Sequence, residues 1–267
     1  MVLVPGGPFL TRLPRARRLV AAALPDFAIG RFPVTLAAYA RFLDALPPDE
    51  RARRMPGGPD RPLLERSADD ERWRLAAHAI DGAAARRRVP AERALELAVH
   101  GVSFYSALAY ARWLAGETGL PYRLPTDLEW DKAMRGADGR AYPMGEHIDP
   151  CFAKLRTSRP EAPQPEPVGA FELDESPYGV RDLAGSFGDW TATPTDGGPA
   201  PSLADEGRAE AAGRQLYWRG GSWGVTGLTP EMRYPLLAEA RNAGVSFRLV
   251  LGLEGSSELG VEPMDRA

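Results

Sequence analysis

The chain has 267 residues, 44% of them hydrophobic and 26% charged, which is enough to bury a core and ordinary for a globular protein. A net charge of −3 gives no general attraction to nucleic acid or to an anionic membrane, and no run of about 18 apolar residues is present to span one. The single cysteine, Cys151, excludes an internal disulfide framework and any multi-thiolate metal site.

The opening MVLVPGGPFL interrupts its apolar residues with Gly and Pro, which a secretory signal does not tolerate, so a cytoplasmic location is expected. In VTLAAYARFLDAL (34–46), Leu36, Tyr39, Phe42, Leu43 and Leu46 recur at three- and four-residue spacings, predicting an amphipathic helix capped by Thr35. Residues 47–98 are rich in Arg, Pro, Asp and Ala and read as an inserted loop region. Within it, DERARRMPGGPDRP (49–62) predicts a mobile loop, and ERALELAV a short helix or strand.

SFYSALAYARWLAGETG (103–119) predicts a second helix, capped by Ser103 or Ser106 and ended by Gly116 or Gly119. Leu108, Ala111, Trp113 and Leu114 supply much of its expected buried face. LPYRLPTDLEWDKAMRG then predicts a short strand stopped by Pro125 and a helix opened by a capping box of Thr126 and Glu129. Residues 156–169 and 193–215 read as loops, and SFRLVLGLE as a strand. Helices followed by loops and short strands favour α+β over a parallel α/β fold, with a single domain over 1–255 and a polar tail at 256–267.

Six motifs stand in a fixed order: FAIGRFPVTLAAYARFL, VSFYSALAYARWLAGETGLPYRLPTDLEWDKAMRG, YPMGE, SPYGVRDLAGSFGDW, RGGSW and SFRLV. The series resembles the formylglycine-generating-enzyme, or sulfatase-modifying-factor, family over about 27–250. That resemblance implies a variant of the C-type lectin fold, with a small mixed sheet, two main helices and much irregular structure.

Aerobic enzymes of that family bind copper(I) through two cysteines shortly after the GGS(W/Y) motif, a soft ion on soft ligands. The matching positions here hold Val225 and Pro230, and 218–250 contains no cysteine. On this alignment the copper oxidase is chemically disabled. Other relatives hold iron with three histidines and rely on a histidine-rich helical domain. His78, His100 and His147 lie far apart here and form no such set. Cys151 reads as a buried or semi-buried structural thiol rather than a nucleophile, and QPEP (164–167) as a proline-rich loop.

Family members also bind calcium near a GNVWEW motif, where this chain has GSFGDW. Gly188 and Asp189 replace a Trp–Glu pair, and Ser186 replaces the asparagine. Asp182 and Asp189 are therefore the candidate calcium ligands, with turn capping as the alternative; no other cofactor is expected.

What the resemblance leaves is a presentation device. The segment 224–246 lies between RGGSW and FRLV, its ends fixed by Arg219, Trp223, Arg233, Phe247 and Arg248. Thr226, Leu228, Thr229, Glu231, Met232, Tyr234, Leu236, Leu237, Glu239 and Asn242 are its candidate ligand-binding residues, with core filling as the alternative for several. Two relatives use such a layout: variable proteins of diversity-generating retroelements, and sensor domains linked to bacterial Ser/Thr kinases. The expected function is a non-catalytic module for a protein or small-molecule ligand, with a Ser/Thr kinase as one partner and neither nucleic acid nor membrane. The alternative is a metal-dependent oxidoreductase of the same family acting on a protein cysteine.

Overall fold

Apolar runs cut short by glycine and proline become short strands. The computed structural model describes residues 1–12, 19–58, 60–76, 89–160 and 163–253; His78 and the expected tail at 256–267 lie outside them. The chain opens with β1 (Val2–Val4), β2 (Gly7–Thr11), β3 (Val20–Leu24) and β4 (Phe27–Ile29). β2 and β3 pair as a ribbon, whereas β1 pairs antiparallel with β4.

Thr35 caps α1 (Leu36–Asp44) by accepting the Ala38 amide at 3.2 Å, and Leu36, Tyr39, Phe42 and Leu43 are buried as their spacing predicts. The expected mobile loop at 49–62 is helical in its first part. α2 (Pro48–Arg54) begins on proline, carries Asp49 and Glu50 in its first turn and arginines in its last, an order that matches the helix dipole. Arg54, only 3% exposed, bonds Glu50 and grips both oxygens of Glu206 at 2.8 and 2.6 Å. Arg241 donates to the carbonyls of Met55 and Arg53. These anchors lie 152 and 186 residues further along the chain, so no local pattern announces them.

A small hairpin follows, β5 (Leu64–Arg66) and β6 (Trp73–Leu75), and Ala91–Glu96 forms a 3-10 helix. α3 (Phe104–Thr118) is capped by Ser103 and ends at Gly119. Its buried face is centred on Phe104, Ala107, Tyr110 and Ala111; Leu108, Trp113 and Leu114 pack at its margin. Packing decided this, because the Tyr110 ring lies against Tyr39, Phe42 and Phe247 at centroid distances of 5.7, 5.6 and 5.4 Å.

β7 (Tyr122–Arg123) precedes α4 (Asp127–Arg135), which opens with the expected capping box of Thr126 and Glu129. Then come β8 (Gly188–Pro194), β9 (Gln215–Arg219), β10 (Arg233–Leu237), β11 (Val245–Ser246) and β12 (Val250–Gly252). Two four-stranded sheets result, ordered β1-β4-β12-β7 and β10-β9-β8-β11, with β11 parallel to β8.

One core joins α1 and α3 to Trp190, Leu216, Phe247 and Leu249. The other gathers Phe27, Ile29, Trp130, Met134, Leu183, Met232 and Val250. The layout is α+β. Among the described residues no helix is long and apolar enough to cross a membrane.

Candidate ligand-binding site

β9 delivers the RGGSW turn, and α4 holds both of its shoulders. Arg219 is fully buried over the Trp130 ring, at 4.8 Å. Its guanidinium donates to Asp127 Oδ1 at 2.6 Å, to Asp131, and to the Met232 carbonyl at 3.0 Å. Arg233 grips the same Asp127 from β10. Burial alone would raise the pKa of Asp131, but the guanidiniums of Arg219 and Arg135 outweigh it and hold the carboxyl below its usual range.

The two glycines follow from close approach. A Cβ at Gly220, whose φ is +93°, would sit 2.8 Å from the Leu183 carbonyl, and one at Gly221 would sit 2.3 Å from that of Ala184.

Beyond the turn, the segment 224–246 is clasped largely by backbone. The amide of Trp223 donates to Ser186 O at 2.8 Å, and that of Arg156 to Val225 O at 2.7 Å. The Tyr142 hydroxyl donates to Leu228 O at 2.9 Å, and the Arg135 guanidinium to Pro230 O. At the far end, Gly101 donates to Asn242 O at 3.2 Å and Gly188 to Gly244 O at 2.9 Å. These bonds draw Ser222, Asn242 and Gly244 together: a Cβ on Gly244 would lie 3.1 Å from Ser222 Oγ and 3.3 Å from Asn242 Oδ1. His100 stacks on Phe187 at 4.5 Å, and its Nδ1 meets Ala98 O at 2.9 Å; burial lowers its pKa and keeps the ring neutral.

Of the candidate display residues, Thr226, Thr229, Glu231, Leu237, Glu239 and Asn242 are exposed, whereas Leu228, Tyr234 and Leu236 are half-buried. Leu228 packs on the second core, Leu236 on the first, and the Tyr234 ring lies 4.6 Å from Trp218. Met232 is a correction. It is fully buried in the second core, so it fills space and displays nothing.

The family model for the sulfatase-modifying factor enzyme 1-like domain matches residues 1–252. The chain belongs to this family. Its relatives include the hercynine oxygenase of Mycolicibacterium smegmatis, 32% identical over 253 residues that cover 84% of this chain and 54% of that protein. The chain thus spans about half the length of that oxygenase. The inactive C-alpha-formylglycine-generating enzyme 2 of Mus musculus is 36% identical over 108 residues, covering 37% of this chain and 33% of the relative. In three dimensions the chain resembles Treponema denticola variable protein 1, with a TM-score of 0.64 at 16% identity and 94% of each chain covered, which shows a shared fold.

The backbone carbonyls of Val225 and Pro230 act as tethers, accepting from the Arg156 amide and the Arg135 guanidinium. Cys151 is exposed, correcting the expectation of a buried or semi-buried thiol: Asp149 and Pro150 put it on a surface turn. The hydrogen bond to Asp149 and that residue's charge raise its pKa, so it stays a thiol.

The donors around Asp182 and Asp189 do not suit calcium. Asp189 Oδ2 accepts from Trp130 Nε1 at 2.8 Å and from Arg248 Nε at 2.6 Å. Asp182 Oδ2 accepts from the Gly169 amide at 2.7 Å. Calcium needs about six to eight oxygen ligands, whereas Oδ2 of each carboxylate accepts from N–H groups and Asp189 Oδ1 is buried without a partner. Among the described residues no cluster of three or more His, Cys, Asp or Glu is placed to hold a metal.

Sequence reasoning missed a cleft of about 460 Å³ beside the segment, lined by Arg53, Ser103, Glu206, Gly207, Glu239 and Arg241. Only Glu239 was a candidate. The lining comes from four stretches far apart in the chain, and no local signal could have joined them.

Proposed function

We propose that this domain binds and presents a ligand on the 224–246 segment and does not itself turn over a substrate. One observation carries the reading: Val225 and Pro230 offer no side-chain ligand for a metal, and their carbonyls pin the loop to Arg156 and Arg135. The exposed Thr226, Thr229, Glu231, Glu239 and Asn242 then stand on a rigid base, the form a binding patch takes. The likeness in fold to a variable protein and the similarity to an inactive enzyme fit this use. A protein or a small molecule would be the partner, and a kinase-linked sensor role is one setting for it.

A second reading has its own support. The match to hercynine oxygenase over 84% of the chain favours an oxygenase in which this domain positions the substrate. Metal analysis of the purified protein, with oxygen-consumption assays on a cysteine peptide and on hercynine, separates the two. The binding-module reading expects neither stoichiometric copper or iron nor turnover. Bound metal with turnover of either substrate would overturn it.

A further inference from the structure

The cleft beside 238–242 has fixed walls and charges of both signs left over. Its basic side is held by Arg241, whose Nη1 and Nη2 reach Met55 O at 2.8 Å and Arg53 O at 2.5 Å. Its acidic side is held by Arg54, which neutralises Glu206, and by the Gly207 amide, which donates to Glu239 Oε1 at 3.2 Å. The Phe104 amide donates to Ala238 O at 2.9 Å and ties this stretch to the start of α3. Arg241, Glu206 and Glu239 are thus anchored before a ligand enters.

The remaining valences are specific. Among the described residues neither Arg241 nor Glu239 has an oppositely charged group at ion-pair distance. Arg53 has only Glu50 at 3.7 Å, with its side chain 61% exposed. Burial, and then the neighbouring Arg54 charge, lower the pKa of Arg241 against the opposing pull of Tyr39 and Glu206.

We propose that this cleft binds a small zwitterion of the free amino-acid class. Its carboxylate would lie toward Arg241 and Arg53, and its ammonium toward Glu239. The volume is within the range of about 300–1,000 Å³ that small-molecule sites occupy. The proposal rests on the binding-module reading, since Glu239 belongs to the displayed segment, and it gives that module a ligand class.

Calorimetry with a panel of free L-amino acids, each beside its N-acetyl and carboxamide analogue, is the test. At least one free amino acid is expected to bind, and each capped analogue, having lost one charge, to bind at least about tenfold more weakly. Glu239→Gln should weaken binding while leaving Tm unchanged, because glutamine keeps an oxygen for the Gly207 amide. The proposal is overturned if no free amino acid binds at about 10 mM, if capped analogues bind equally well, or if Glu239→Gln binds like the parent. Metal-dependent turnover in the assays above would remove the module reading but not the cleft. A silent panel with no turnover would remove the cleft alone.

Discussion

Two carboxyl groups under the RGGSW turn are held in unusual states. Asp174 accepts the amides of Leu183, Ala184 and Gly185, yet burial still raises its pKa. Asp182 lies near it with a φ of 55°, and burial together with the Asp174 carboxylate pushes its pKa up to about 7. An unfolded aspartate titrates near 3.9. Between those values the folded chain therefore holds a proton that the unfolded chain has lost. This contribution to stability is fully present below about pH 4 and is lost as pH rises toward 7. Asp182→Asn keeps an acceptor for the Gly169 amide and tolerates the left-handed backbone. Denaturant melts of both proteins from pH 4 to 8 should show the variant gaining on the parent by a few kcal/mol as pH rises. Parallel pH profiles would remove Asp182 as the source.

Gly188 shows how one element can make room for another. Where the resembling motif carries tryptophan, this chain has glycine, and the Trp218 ring from β9 lies over it. A Cβ at 188 would meet Trp218 Cε3 at 2.2 Å and the Arg219 carbonyl at 2.8 Å. Gly188→Ala should cost about 1–3 kcal/mol or more by overpacking, and should shift tryptophan fluorescence. In a Trp218→Ala background the share due to the ring should vanish and that due to the Arg219 carbonyl should stay; simple additivity in the double-mutant cycle would show that the ring is not an obstacle.

The ends of the helices were legible because caps are local: Thr35, Ser103 and Thr126 each hydrogen-bond an amide three residues on. α2 was not legible, since 49–62 reads as a mobile loop until Glu206 and Arg241 arrive from elsewhere to bind the Arg54 guanidinium and the Arg53 carbonyl. Nor was the buried face of α3, which the rings of Tyr39, Phe42 and Phe247 choose from another helix and a late segment.

At the scale of the whole molecule, Arg248 links the two sheets. It lies between β11 and β12, fully buried, and donates to Asp189 Oδ2 at 2.6 Å and to the carbonyls of Arg181 and Asp182 at 3.0 and 2.9 Å. Arg248→Met would leave Asp189 buried with only the Trp130 indole as donor, and should destabilise the protein by about 3–5 kcal/mol. Because the sheets share this charge pair, urea unfolding followed by far-UV circular dichroism and by tryptophan fluorescence should give coincident transitions. Two separated transitions would mean that the sheets belong to independent units.

The sequence by itself determined the family, the α+β class and the turn at RGGSW. It also determined the lack of side-chain metal ligands at positions 225 and 230. Each of these is written in contiguous residues, where capping, glycine placement and donor chemistry act over a few positions. Only the tertiary structure decided that Met232 faces inward, that Asp189 pairs with Arg248, and that a cleft with charges of both signs opens beside Glu239. Those outcomes depend on which distant groups meet in a medium where an unpaired charge is costly, and no local pattern carries that information.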